Sequence, residues 1–251
     1  MRNTSTSSDS LNSESSYRSW KAWTSSTFAV SDTENDRYFE AELRLSGLQN
    51  YSSITCFELG FGNGQFAAWA KKQGMIYRGS ELNAELIDLA IEHGINAVPA
   101  TLNLLEACNG ERQDLIVAFD VLEHMSITDI KTLMSSANDC LTQNGLFLVR
   151  IPSGDSPFAR HIQYGDFTHQ TCIGSSMVRQ LCIEVGMSVK QIRSPAFPIT
   201  GLGFIKFIRR APIVIARRVL TGLINLIFND GQPRVISSNM LVVLQKNVPV
   251  L

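Results

Sequence analysis

The chain is predicted to be an α/β protein built on a doubly wound, mostly parallel sheet. Three features carry that expectation. Short apolar runs alternate with amphipathic segments between Ile54 and Ile151, and such alternation favours parallel strands joined by right-handed crossovers. One run, Asp114 to Leu122, is apolar almost throughout, as a strand covered on both faces must be. A third run ends in Gly60, Gly62 and Gly64 and leads at once into an amphipathic stretch. That junction is a strand, a tight turn and a helix start, at the carboxyl end of a first strand where open α/β sheets bind ligands.

The elements follow in order. Met1 to Ser16 is rich in Ser, Thr and Asn and reads as a disordered tail. Residues 17–50 read as a helical anchor or lid. Tyr17, Trp20 and Trp23 are its aromatic cluster, and Asp32 is placed to cap a helix through Tyr38, Phe39 and Leu43. The main domain is expected over 51–251. Its strands are predicted at Ile54–Leu59, Ile76–Leu82, Asn96–Val98, Asp114–Leu122 and Leu146–Ile151. Its helices are predicted at Gln65–Lys72, Ala84–Glu92 and Ile127–Leu141, the last capped by Asn144-Gly145. Beyond Pro152 come a polar loop to Phe167, a helix over Met177–Val185, a strand over Ser188–Arg193 and a final strand over Met240–Gln245. An apolar, basic helical insertion at 201–230 separates those two strands.

Bulk properties exclude some functions. A net charge of −1 gives no global reason to expect nucleic acid. The five cysteines, Cys56, Cys108, Cys140, Cys172 and Cys182, form neither a CxxC pair nor a His-Cys metal spacing. Their odd number and the lack of a signal peptide predict a reducing cytoplasm. No metal-ligand cluster is visible along the sequence, and no metal is expected. The charge-free run Val219 to Asn229 is shorter than the roughly 20 residues a bilayer span needs.

The spacing of the glycines discriminates between ligands. A dinucleotide fingerprint reads Gly-x-Gly-x-x-Gly, and here Gly64 comes one residue too early, followed by Gln65. Glu58-x-Gly60-x-Gly62-x-Gly64 instead resembles motif I of the class I S-adenosylmethionine-dependent methyltransferases, which have a Rossmann-like sheet edged by an antiparallel C-terminal hairpin. The resemblance runs from Tyr38 to Gln245 and is most specific at Phe57–Phe66 and Asp114–His124. It implies a cofactor cradle of Glu58, Gly60, Phe61, Gly62, Asn63 and Gly64. Glu81, at the end of the second strand with Leu82 beside it, offers two carboxylate oxygens to a ribose diol. The resemblance also implies adenine contacts at Asn103 and Leu104, with an amide where many relatives carry Asp. Asp120 and Val121 would border the methionine part.

Asp120-Val121-Leu122-Glu123-His124 resembles the small-molecule members of that family. It lacks the Asn/Asp-Pro-Pro-aromatic motif of enzymes acting on nucleobases. His124 is either a general base, since a near-neutral imidazole can take a hydroxyl proton, or a structural residue at a helix start. Asp166-Phe167-Thr168-His169 resembles an Asp-x-Thr-His element of ubiquinone-pathway O-methyltransferases and of enzymes in bacterial polysaccharide gene clusters. His169 is the preferred base there and Asp166 its orienting acid, against the alternative of a loop pinned by Asp and Thr turn bonds. The phrase Glu-Leu-Gly-Phe-Gly-Asn-Gly, Trp69 and the tail from Asn229 to Lys246 point to the polysaccharide group. The expected activity is therefore O-methylation of a sugar or lipid-linked small molecule. The alternatives are a polyprenyl-quinone-type acceptor or a non-catalytic S-adenosylmethionine-binding module.

The insertion has its own pattern. Lys206, Arg209, Arg210, Arg217 and Arg218 give 203–229 five positive charges and no acid, and Pro212 is expected to divide it. At about 100° per residue, Arg217, Arg218, Thr221 and Asn225 share one arc, and Val219, Leu220, Leu223, Ile224, Leu226 and Ile227 cover the other side. Such a helix lies in a membrane interface, or packs on the core, closes the site or forms a homodimer contact.

Overall fold

The computed structural model describes residues 24–30, 32–231 and 233–247. The N-terminal tail and the cluster of Tyr17, Trp20 and Trp23 lie outside them. Seven strands form one sheet in the order β3-β2-β1-β4-β5-β7-β6. They are β1 (Thr55–Leu59), β2 (Ile76–Glu81), β3 (Ala97–Pro99), β4 (Gln113–Phe119), β5 (Leu141–Pro152), β6 (Met187–Arg193) and β7 (Asn239–Lys246). β1 to β5 pair in parallel, and β7 runs antiparallel to both β5 and β6. The expected doubly wound sheet with its antiparallel edge hairpin is what forms.

Alternation along the strands divides the core. Phe57, Leu59, Ile116, Ala118, Phe147 and Val149 face one side. There they meet α5 (Ile127–Cys140) and α7 (Ser175–Val185). Cys56, Leu115, Val117, Leu146 and Leu148 face the other. That side is covered by α1 (Thr33–Ser46), α2 (Gln65–Lys72) and α3 (Ala84–Glu92). Two short helices, α4 (Leu104–Ala107) and α6 (Arg160–Gln163), sit in the loops after β3 and β5, and a 3-10 turn covers Leu122–His124.

Several boundaries differ from the expectation: β4 ends at Phe119 rather than Leu122, β3 is shifted by one residue and α7 starts two residues earlier. Helix α5 stops at Cys140, and Asn144-Gly145 does not cap it. Gln113 pairs with Leu141 while Leu115 pairs with Leu146, so Thr142 to Gly145 bulge out of β5. A side chain at Gly145 would stand 2.8 Å from Gln113 O, so the strand crossing selects the glycine. Pro212 does not divide the insertion either. α8 (Phe204–Phe228) is one continuous helix with Pro212 inside it, where the proline has no N–H to donate.

Helix α1 holds the N-terminal side of the domain in place. The Asp32 carboxylate accepts the amides of Glu34 and Asn35, and Gly47 closes the far end in a left-handed conformation. Phe39 packs on Phe66, Trp69 and Phe119. Glu42 is fully buried, pairs with Arg193 at 2.6 Å and accepts the Ala196 amide at 2.6 Å. The helix thereby grips the end of β6 and the chain entering the insertion. Replacing Glu42 with Ala removes the carboxylate partner of a largely buried Arg193 and is expected to cost about 3 kcal/mol in denaturant unfolding. A change under about 0.5 kcal/mol would mean that the pair contributes nothing net.

Candidate active site

The turn after β1 is left-handed at three places, with φ of 62° at Gly60, 51° at Gly62 and 67° at Gly64. Two of these positions are also crowded. A Cβ on Gly60 would lie 2.8 Å from Val121 Cγ2, and one on Gly64 2.9 Å from Phe28 Cζ. Val121 follows β4, so the carboxyl ends of β1 and β4 touch through a residue with no side chain. Asn63 fastens the segment that carries Phe28. Its amide donates to Thr27 O at 2.9 Å, and its own carbonyl accepts the Ala29 amide at 2.8 Å. The ring of Phe61 is buried, so only its backbone is available to a ligand at the turn.

Glu81 closes the far side of the cradle. Gly62 N–H donates to its Oε2 at 2.9 Å, and Leu82 N–H to its Oε1 at 2.7 Å. These bonds orient the carboxylate and leave it acceptor capacity for a diol. The Leu82 side chain is largely exposed beside it. Asn103 caps α4, accepting Glu106 N–H and donating to Glu106 Oε2 at 3.2 Å. Leu104 is a correction to the expected adenine pair. Its side chain is wholly buried in the core and its amide donates to Ser136 Oγ, so it offers a ligand no apolar surface.

Glu58 lies beneath the turn rather than in it. It is buried and accepts the Tyr77 hydroxyl at 2.6 Å. A side chain on Gly79 would collide with that hydroxyl, so the glycine clears its path. Burial pushes the Glu58 carboxyl up to about 8, with the Glu81 charge adding to the effect and Tyr77 and Arg150 opposing it. Asp120 has an unusual φ of 58° and holds Arg150 through two hydrogen bonds, 3.0 Å from Nε and 2.5 Å from Nη2. The guanidinium lies over the rings of Tyr38 and Phe119 and donates to the Tyr38 hydroxyl at 3.2 Å. Sequence reasoning missed Arg150, although a cation inside the apolar run Leu146–Ile151 was a signal.

The two candidate bases come together. The rings of His124 and His169 meet edge to face with centroids 4.7 Å apart. Asp166 is buried and accepts both the hydroxyl and the amide of Thr168, at 2.5 and 3.0 Å. Burial alone would raise its carboxyl, but these bonds and the two imidazoles hold it below the ordinary range. With its proton given to Asp166, the Thr168 hydroxyl oxygen accepts from His124 Nδ1 at 2.9 Å. Gln163 O accepts from His169 Nδ1 at 3.1 Å. Both rings are thus assigned the tautomer that makes Nε2 the basic nitrogen. Asp166 orients His124 through Thr168; it does not act on His169 as expected.

The comparisons with known proteins agree with this geometry. Residues 32–192 match the family described as "Methyltransferase domain". The chain belongs to that methyltransferase family. No curated protein sequence matches it. Among solved structures, the methyltransferase is similar to a SAM-dependent methyltransferase from Archaeoglobus fulgidus, with TM-score 0.60 and 18% identity over 84% of this chain and 94% of that one. It is also similar to a TehB-like SAM-dependent methyltransferase from Corynebacterium glutamicum, with TM-score 0.56 and 15% identity over 94% and 99%. A third likeness is to magnesium protoporphyrin IX methyltransferase from Synechocystis with bound SAH, with TM-score 0.55 and 11% identity over 84% and 82%. At these identities the likeness is one of fold.

One expectation about this methyltransferase needs correcting. No metal-ligand cluster is visible along the sequence, yet Glu123, His124 and His169 each bring a ligand atom to within 4.8 Å of the others. Folding joins residues that the loop after β5 keeps far apart in sequence. Two imidazoles and a carboxylate suit a divalent transition metal as well as they suit proton transfer, so the site can do either chemistry. Chelation separates the two. If the imidazoles act as bases, turnover survives exhaustive dialysis against EDTA; loss restored by Zn²⁺ or Mn²⁺ would instead place a metal on them.

The buried Glu58 gives a pH signature. The folded state holds its proton up to about pH 8, whereas an unfolded glutamate releases it near 4.5. Stability is fully present below the unfolded value and falls as pH rises between the two, by on the order of 1 kcal/mol per pH unit at most. Glu58→Gln is expected to flatten that slope in thermal unfolding between pH 5 and 8. A slope unchanged by the substitution would assign it to another group.

Proposed function

We propose that this methyltransferase methylates a hydroxyl of a sugar or other small molecule carried on a lipid, in the assembly of a surface polysaccharide. Its cofactor is S-adenosylmethionine. The residues fit that group: Gly60 and Gly64 stand where any side chain would collide with Val121 or Phe28, and the oriented Glu81 carboxylate faces the turn. Glu81 would hold the ribose, the backbone of Gly60 to Gly64 would border the nucleoside, and Asp120 and Val121 would border the amino-acid end. When bound, the cofactor supplies a methyl group already activated by a positive sulfur.

The remaining work falls to the protein. It must hold the acceptor hydroxyl in line, keep water out and take one proton. The observation that carries O-transfer is the histidine pair itself, two imidazoles with ring centroids 4.7 Å apart and each Nδ1 in a hydrogen bond. Positioning supplies a large share of such rates, and a general base typically adds ~10²–10⁴-fold. Arg150, held by Asp120, Tyr38 and Phe119, keeps a fixed positive charge at the end of β5.

Labelled methyl transfer into fractionated cell extract tests the reading, with product expected in the lipid-linked saccharide fraction. A labelled quinone fraction would move the acceptor to the polyprenyl-quinone class. His124→Ala and His169→Ala are expected to leave S-adenosylhomocysteine affinity unchanged, and at least one to lower turnover by roughly 10²–10⁴-fold. Full turnover in both would remove the histidines from the chemistry. Absence of any transfer, with cofactor binding intact, would favour a binding module. Glu81→Ala is expected to weaken cofactor binding by about 1–3 kcal/mol, read by calorimetry.

A further inference from the structure

α8 is 25 residues long and none of them is buried. By length and composition it could cross a bilayer, which corrects the expectation drawn from Val219–Asn229 alone. Its orientation is the reverse of an ordinary surface helix. Lys206, Arg210, Arg217, Thr221 and Asn225 fall within about 100° of arc, and this polar arc is turned to the protein. Lys206 and Arg210 pair with Glu34. The guanidinium groups of Arg210 and Arg217 lie over the Phe197 ring at 4.9 and 4.5 Å, and Asn225 accepts the Arg234 amide at 3.2 Å. The opposite arc holds Ile208, Ile215, Val219, Leu223 and Leu226, each about half exposed or more. The apolar side is therefore not packed on the chain's own core.

The insertion also leaves and rejoins the sheet at a telling place. Asn239, the first residue of β7, pairs with Pro152, the last of β5, and β6 ends at Arg193 beside Leu241. That is the carboxyl edge of the sheet, where the glycine turn, Asp120 and the loop carrying His169 also lie. Charge selects the occupant of the apolar arc. Arg209 and Arg218 are exposed and fall on its two borders, and 204–229 contains no acid. A second copy docked through this arc would bring like charges together with no carboxylate on either helix to neutralise them. Anionic headgroups would neutralise them, with the apolar arc in the acyl boundary. Crossing the bilayer would instead strip Arg210 and Arg217 of Glu34 and Phe197.

We propose that α8 seats the methyltransferase on an anionic lipid surface, lying in the plane of the interface, so that an acceptor anchored in that membrane meets the carboxyl edge of the sheet. The choice of acceptor rests on the function proposed above, but lipid binding is read without turnover and stands or falls separately. The test is co-sedimentation of the full chain with phosphatidylglycerol/phosphatidylcholine vesicles. Binding is expected at low salt, at least tenfold weaker with phosphatidylcholine alone or at 0.5 M salt. Leu223→Asp and the pair Arg209→Glu with Arg218→Glu are each expected to weaken it at least tenfold, with thermal midpoint and S-adenosylhomocysteine affinity unchanged. No sedimentation at low salt overturns the proposal. So does a dimer in sedimentation velocity that Leu223→Asp dissociates while vesicles bind neither form. If Leu223→Asp unfolds the chain, Leu226→Asp replaces it; unfolding of both would make the arc internal and overturn the proposal too.

Discussion

The structure depends on how closely the carboxyl ends of β1 and β4 approach. Val121 presses on Gly60 at a distance no Cβ tolerates, and Phe28 presses on Gly64 in the same way. Gly60 and Gly64 are thereby restricted to glycine, both in a left-handed conformation. That compression leaves the backbone of the turn bare on the ligand side. It also aims Gly62 N–H at Glu81, so the end of β2 is fixed by the turn at the end of β1. One steric constraint therefore builds both walls of the cofactor crevice. The same crossing fixes where β4 ends, and hence where Asp120, Glu123 and His124 are presented.

Below that turn the protein tolerates a costly group. Glu58 is buried in the sheet and accepts the Tyr77 hydroxyl, and burial keeps it protonated near neutral pH. Gly79 exists to let the hydroxyl through. A neutral carboxyl there adds no negative charge beneath Glu81. Above the turn the opposite holds, since Arg150 keeps its charge by pairing with Asp120 and stacking on two rings. Neutral beneath and charged above is a consistent electrostatic division of one sheet edge.

Most of the fold was legible because each local pattern agreed with its neighbours. The start of α3 follows from its Asn83 cap, and the middle of β4 from the apolar run Leu115–Phe119, although the strand begins at Gln113 and stops short of Leu122. What failed to show was non-local. Leu104 looks like a loop residue, but α4 turns it into the core. Asn144-Gly145 has the composition of a cap, yet strand pairing overrode it. The assembly of Glu123 with His124 and His169 depends on the loop after β5 folding back to place Gln170 and Thr171 amides on Glu123 O. Arg217 and Arg218 are neighbours in sequence but about 100° apart around the helix. Only the position of Phe197 decides that the first is held by the protein.

Helix α1 ties these parts into one device. Glu34 on its first turn holds Lys206 and Arg210 of the exposed helix α8. One residue on, the Asn35 amide donates to Gln65 at the start of the helix that follows the glycine turn. Tyr38, a turn later, accepts from Arg150 at the end of β5, and Glu42 fixes Arg193 and Ala196 at the root of the insertion. Spacing of three to four residues puts these contacts on adjoining parts of one helix surface. A displacement of α8 must therefore load the same short helix that steadies the crevice and Arg150. The exposed helix and the carboxyl edge of the sheet are tied to one shared strut.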